Sequence, residues 1–298
     1  QVIPSETDLK IKYVIESKQL YKLTEKLFNQ DINMKYLDVY GKVFETKMTD
    51  LLLKTTTSDL TEKQRIFLYS FLRTGVGLLC NCFDQESVSN ALNIHDAYYG
   101  FLNNHLRNQS LYKNAGIRDI EPGSDNSCCK EFIFRNHNNI KDWTNCTIDL
   151  SLKMGGVSCD KLENLMEQCQ AIQSLKTLYN KVYKDKQLRL VNMGFFQSPS
   201  GNPGQNWHTD YEFTSITDTT TKLSPVVTVL ISLTKQKYDK IAEKTMGSTV
   251  FCLGSNQSPQ QIIKICADKN RKNECKEWLY KVVQPILNEG DVVCFAGN

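Results

Sequence analysis

Leu20, Leu23 and Leu27 recur at helical spacing in an otherwise polar stretch, so an amphipathic helix is expected over Ser17 to Phe28. Lys35 to Leu53 carries a second helical pattern. The polar run Thr55-Thr56-Thr57-Ser58-Asp59 breaks it, and Asp59 or Thr61 then offers an N-cap for a helix through Leu72. Residues 1–64 are read on this basis as an N-terminal helical extension.

The pattern changes at Gly75. Gly75 to Asp84 reads as a strand that includes Cys80 and Cys82, Gln85 to Leu106 as a helix, Pro122-Gly123-Ser124 as a loop, and Lys161 to Lys184 as a helix pair. Ser224 to Leu233 is β-branched and apolar enough for a buried strand. Gly247 to Asn256 predicts another strand, ending in a Gly turn, and Glu289 to Phe295 a third, opened by the turn Gly290-Asp291. The connection from Gly254 to Gly290 exceeds the usual length of about two to six residues, and Cys275 to Tyr280 within it has helical character. No internal repeat or low-complexity segment is visible.

Candidate chemistry precedes these late strands, in Asn206-Trp207-His208-Thr209-Asp210. On an extended strand residues i and i+2 point to the same side, so an imidazole nitrogen of His208 and a carboxylate oxygen of Asp210 can share one metal ion. A second His would complete the facial triad of two histidines and one carboxylate that leaves Fe(II) open positions. None follows: the four histidines are His95, His105, His137 and His208, and the first three read as surface residues on a helix or near loops. A lone His-x-Asp is common; the ordered series behind it (core strand, Gly-Ser strand, Gly-Asp strand) gives it weight.

That series resembles the phytanoyl-CoA dioxygenase-like family of Fe(II)/2-oxoglutarate oxygenases. Ser198 to Gln205 followed by Trp207-His208-Thr209-Asp210 is similar to the family's Pro/Gly-rich loop and Trp-His-x-Asp motif. Met246 to Asn256 looks like its Gly-x-Leu-x-x-x-Pro-Gly-Ser-His strand, Gly290 to Phe295 matches its Gly-Asp-Val-x-x-Phe strand, and Gly75 to Asp84 with the helix after it resembles its opening strand and helix. The resemblance covers about Arg65 to the last residue and is most specific over 194–298.

The resemblance implies a mainly β fold with helical additions: a double-stranded β-helix, or jelly roll, over residues 65–298 behind the helical extension. It implies that His208 and Asp210 ligate Fe(II), with 2-oxoglutarate and O2 at the open positions, and that a small-molecule or lipid-like substrate is hydroxylated. Because Asp210 is present, hydroxylation is favoured over halogenation. Gln197, Gln205 and Thr228 are expected to contact the co-substrate, the alternatives being a backbone-bonded strand-end amide for Gln197 and an ordinary strand residue for Thr228. Trp207 is expected in the packing around the metal strand. In the family a second His follows the Gly-Asp-Val strand by a few residues, and an Arg that binds 2-oxoglutarate lies farther on. Both are expected beyond Asn298, so the jelly roll is read as incomplete at its C-terminus and the chain, which starts at Gln1, as a fragment inactive by itself. The alternative is a catalytically inactive jelly roll that binds or scaffolds.

Composition narrows the partners. Lys plus Arg 36 against Asp plus Glu 33 gives a net charge of +3, too balanced for an electrostatic claim on nucleic acid, and no apolar run is long enough to span a membrane. With 40% hydrophobic residues in 298, the chain can bury a large core. The compartment stays open, with a soluble cytoplasmic protein preferred. Eleven cysteines show no Cys-x-x-Cys spacing and read as free buried thiols in preference to a disulfide framework, although Cys252 could pair with Cys266 or Cys275 in a secreted protein. Asn108-Gln109-Ser110, Asn145-Cys146-Thr147 and Asn256-Gln257-Ser258 fit the glycosylation pattern, the last weakened by Pro259.

Overall fold

A computed structural model describes residues 13–33, 60–105, 117–120, 129–136, 160–183, 188, 192–197, 210, 226–239, 244–245, 248–253 and 282–296. In chain order the elements are β1 (Tyr13–Glu16), α1 (Ser17–Asn33), α2 (Glu62–Thr74), β2 (Val76–Leu79), α3 (Gln85–His105), β3 (Ile117–Ile120), β4 (Cys129–Asn136), α4 (Asp160–Gln168) and α5 (Gln170–Val182). They continue with β5 (Asn192–Gln197), β6 (Val227–Ile231), β7 (Tyr238–Asp239), β8 (Lys244–Thr245), β9 (Phe251–Cys252), β10 (Val282–Ile286) and β11 (Val292–Ala296). Two compact units result, one of Gln1–Phe83, Gln170–Gln187 and Trp207–Asn298, the other of Asp84–Cys169 and Leu188–Asn206.

The first unit is organised by α2. Thr61 caps it: the Gln64 N–H donates to Thr61 Oγ1 at 3.3 Å and the Thr61 N–H to Gln64 Oε1 at 2.9 Å, a reciprocal box that satisfies two donors at the helix start. Ile66, Phe67, Leu68, Tyr69, Phe71 and Leu72 are all buried, so the helix is apolar around much of its girth and is enclosed by neighbours. Gly75 ends it in the left-handed region, at φ 77°, with its N–H on the Phe71 carbonyl at 2.9 Å. α1 packs against α2 through the edge-on rings of Phe28 and Tyr69, centroids 5.4 Å apart. The helix expected over Ser17 to Phe28 is therefore α1, with one difference: Leu20 packs on the core, while Leu23 is exposed.

The antiparallel sheet β2-β11-β6 has two distinct faces. Register aligns Gly77, Cys294 and Val229 in one row and Leu79, Val292 and Ile231 in the next, both on the face toward α2. Phe67 lies against Gly77 so closely that a Cβ there would sit 2.6 Å from its ring. The opposite face carries the rows Val76, Phe295, Thr228 and Leu78, Val293, Leu230. All of these except Thr228 belong to or pack on one apolar cluster, to which the mixed sheet β1-β10-β9 contributes Ile15, Val283 and Phe251. Two sheets thus share one core, with β1 parallel to β10 and β9 antiparallel to it. α5 adds a buried stripe of Ala171, Ser174, Leu175, Leu178 and Tyr179 and packs on α2.

The second unit holds α3, α4 and the antiparallel meander β3-β4-β5, with a register irregularity between Ile133 and Arg135. His95 of α3 stands edge-on to buried Phe195 of β5, ring centroids 5.1 Å apart, and its Nδ1 lies 2.9 Å from Asp96 Oδ1. His95, expected at the surface, is only partly exposed.

Several expectations change. The strand read through Cys80 and Cys82 stops at Leu79, because Asn81 takes a left-handed φ of 52° and the chain turns there. Of the strand expected over Gly247 to Asn256, the described residues 248–253 hold strand at Phe251–Cys252. The long connection before Gly290 contains a strand, β10, and the lysine-rich stretch 235–244 contains β7 and the first residue of β8. Among the described residues no helix is long and apolar enough to cross a membrane. The helix expected over Lys35 to Leu53, the helical stretch Cys275 to Tyr280, the loop at Pro122, His137, Cys266, Cys275 and the three glycosylation tripeptides lie outside the described residues.

Candidate metal-ligand residues around Asp210

Asp210 is exposed, and its Oδ2 accepts a 2.6 Å hydrogen bond from Oγ1 of Thr228, the second residue of β6. A bond this short from hydroxyl to carboxylate is charge-assisted, stronger than a neutral pair. Thr228 is well placed to orient a carboxylate, since a β-branched side chain on a strand is stiff at χ1 and holds its hydroxyl in one direction. It is also the polar member of an otherwise apolar row, Val76, Phe295, Thr228, so that its hydroxyl stands on the sheet face turned toward the shared core.

Register says what lies beside this pair. Thr228 is opposite Phe295 and Val227 opposite Ala296, so β11 ends at the part of β6 that carries Thr228. Phe295 meets Phe251 of β9 with ring centroids 5.2 Å apart, which closes the core beneath that end.

The five site residues expected from the sequence divide accordingly. Asp210 and Thr228 are brought together, and Thr228 bonds to the carboxylate. Gln197 is the last residue of β5 and belongs to the second unit. His208 and Gln205, with Trp207, lie outside the described residues. Among the described residues no three His, Cys, Asp or Glu side chains cluster as a metal-ligand set.

A second aspartate contrasts with the first. Asp291 is fully buried, and its carboxylate collects donors from three parts of the chain. Oδ2 accepts from Ser17 Oγ at 2.6 Å and from the Asn288 N–H at 2.9 Å, and Oδ1 from the Asn81 N–H at 2.9 Å. Asn288 Nδ2 adds bonds to Ser17 Oγ at 3.1 Å and Asp291 Oδ2 at 3.4 Å. A buried carboxylate tolerates its desolvation when its lone pairs are filled in this way. Ser17 is also the first residue of α1, where a negative charge is favoured by the helix dipole. This site was not read from the sequence beyond the Gly-Asp turn itself. Its signal is there only as Asn288 three residues before Asp291, and its other partners are remote.

Gly290 makes the turn possible. At φ 78° it occupies the left-handed region, its carbonyl accepts the N–H groups of Cys82 and Phe83 at 3.0 and 3.1 Å, and a Cβ would fall 2.3 Å from the Phe83 oxygen. The thiols near this turn are suppressed. Burial, followed by the charge of Asp291, pushes Cys80 up to about 11, and burial raises Cys294 well above its ordinary value, with Cys82 adding to the shift. Cys80 and Cys294 are free thiols.

Comparison with family models, with curated proteins and with solved structures returns no match for this chain.

Proposed function

We propose that the chain is an Fe(II)/2-oxoglutarate-dependent dioxygenase that hydroxylates a small-molecule or lipid-like substrate, on a double-stranded β-helix. The observation that carries this reading is the Thr228–Asp210 hydrogen bond beside the end of β11. The sequence resemblance expects the second histidine shortly after that strand, and the register brings the strand's end next to the element that holds the Asp210 carboxylate.

The donor chemistry fits iron. An exposed carboxylate and an imidazole two residues before it offer the hard oxygen and nitrogen donors that Fe(II) accepts, whereas the buried Asp291 carboxylate is already filled by protein donors. His208 and Asp210 would hold the ion. Bound iron would supply O2 activation coupled to oxidative decarboxylation of 2-oxoglutarate, which hydroxylates the substrate and leaves succinate and CO2. The residues' own work is positional: Thr228 fixes one oxygen of Asp210, and the apolar row beside it excludes water on one side.

Iron content by elemental analysis tests the proposal. The protein should bind Fe(II), Zn(II) and Co(II) competitively and lose the ion in His208→Ala and Asp210→Ala. Unchanged iron in both variants rejects the site. Iron binding without succinate release above an iron-free control, across a broad substrate panel, leaves a binding jelly roll as the better description.

A further inference from the structure

We infer that Thr228 is a positioning residue for the Asp210 carboxylate and not a contact for the co-substrate. The inference rests on the proposed metal role of Asp210 and goes beyond it by assigning the residue that sets the geometry of that ligand.

Three observations lead here. The hydroxyl hydrogen of Thr228 is directed to Asp210 Oδ2 at 2.6 Å, so its single donor is already engaged. Its neighbours along and across the sheet on the same face, Leu230 and Phe295, pack on the apolar cluster, and packing alone would be served by Val at this position. Asp210 is exposed, so its carboxylate does not depend on the half-buried Thr228 hydroxyl for solvation. The hydroxyl therefore contributes orientation. A carboxylate that must meet a metal through one oxygen benefits when its other oxygen is held, and such outer partners typically set about 10–100-fold in metal affinity. Thr228 comes from β6, which pairs with β11 along its length, so the hydroxyl is anchored to a sheet strand, while Asp210 lies on a bend outside it.

The test uses the full-length protein and Co(II) alone, read by titration and by the visible d–d bands of the loaded protein, in Thr228→Val, Thr228→Ser and Asp210→Ala. Val deletes the hydroxyl at nearly constant shape and keeps the strand preference, so the fold should melt as wild type. The expected result is a Co(II) dissociation constant raised about 10–100-fold in Thr228→Val with altered d–d bands, and recovery to within a few-fold in Thr228→Ser. Wild-type affinity and bands in Thr228→Val, with binding lost in Asp210→Ala, overturn the role of Thr228 while leaving the metal reading intact. Wild-type Co(II) binding in Asp210→Ala overturns the metal reading and this inference with it. Equal loss in Thr228→Val and Thr228→Ser also overturns it, because the hydroxyl would then not be the operative group.

Discussion

Ser17 Oγ donates to Asp291 Oδ2 across 2.6 Å, joining the first residue of α1 to the residue that precedes β11 over 274 positions of sequence. Around this bond three chain segments become mutually dependent: the start of α1, the turn at Asn81 after β2, and the turn from Asn288 to Asp291. None is held there by apolar contact alone.

Asp291→Ala should therefore be among the most damaging single changes in the first unit. It leaves the Ser17 hydroxyl and the Asn81 and Asn288 N–H groups without their acceptor, at about 1–3 kcal/mol for each buried donor left unsatisfied. Ser17→Ala removes one charge-assisted bond and should cost about 1.5–3 kcal/mol. Urea unfolding of both single variants and the double variant checks this. The double variant should lose less than the sum of the two, since the residues share one network, and strict additivity would show that the bond contributes nothing.

Two glycines should respond differently to a single methyl group. At Gly290 the left-handed backbone costs about 1 kcal/mol for alanine, and the added carbon meets the Phe83 backbone oxygen at 2.3 Å, which cannot move without breaking the turn. At Gly77 the obstacle is the Phe67 ring at 2.6 Å, a side chain that can shift. Gly290→Ala is expected to lower the melting temperature by more than Gly77→Ala, and the reverse order in a thermal melt would contradict this account of the turn.

Alkali should destabilise the fold. Cys80 is pushed up to about 11 in the folded chain against 9.0 for the unperturbed thiol, and Cys294 is likewise raised, by full burial. A group whose folded value is raised favours folding below its unfolded value and loses that contribution as pH climbs through the folded one. Stability should hold to about pH 9 and fall between about pH 9 and 11, and Cys294→Ala should flatten the decline at some cost in packing. Denaturant midpoints taken across that range give the slope. In the same range native alkylation should find Cys80 slow at pH 8 and faster as pH approaches 11.

The parts of the fold that were legible in the sequence are those whose cause is local. The sequence offers Asp59 or Thr61 as the cap of a helix through Leu72, and Thr61 caps α2, which runs to Thr74. Ser224 to Leu233 and Glu289 to Phe295 read as strands because β-branched and apolar residues run together between turn residues, and β6 and β11 form within or across them. β10 was not legible, because Gln284 and Pro285 interrupt its apolar run; the structure accommodates Pro285 by pairing β9 only with Val282 and Val283, and buries Gln284 with its Nε2 on the Ser248 carbonyl at 3.0 Å. β1 was equally hidden, as four residues whose partner lies far along the chain. At the candidate site Asp210 stands out in the sequence as a candidate ligand through its tripeptide, while its bond to Thr228 does not. The type of residue was visible, but the direction of its hydroxyl depends on a partner eighteen positions away in sequence.

The parallel pairing of β1 with β10 sets a schedule for synthesis. Tyr13 waits for Val283, and at about 5–20 residues per second the ribosome needs roughly 14–54 s to deliver the intervening 270 residues. During that interval the backbone N–H and C=O groups that β1 will later commit to β10 have no native partner, and an unpaired strand is a template for other chains. The pairing can therefore close only once β10 has been made, 270 positions after β1, and until then β1 is the strand most in need of another partner.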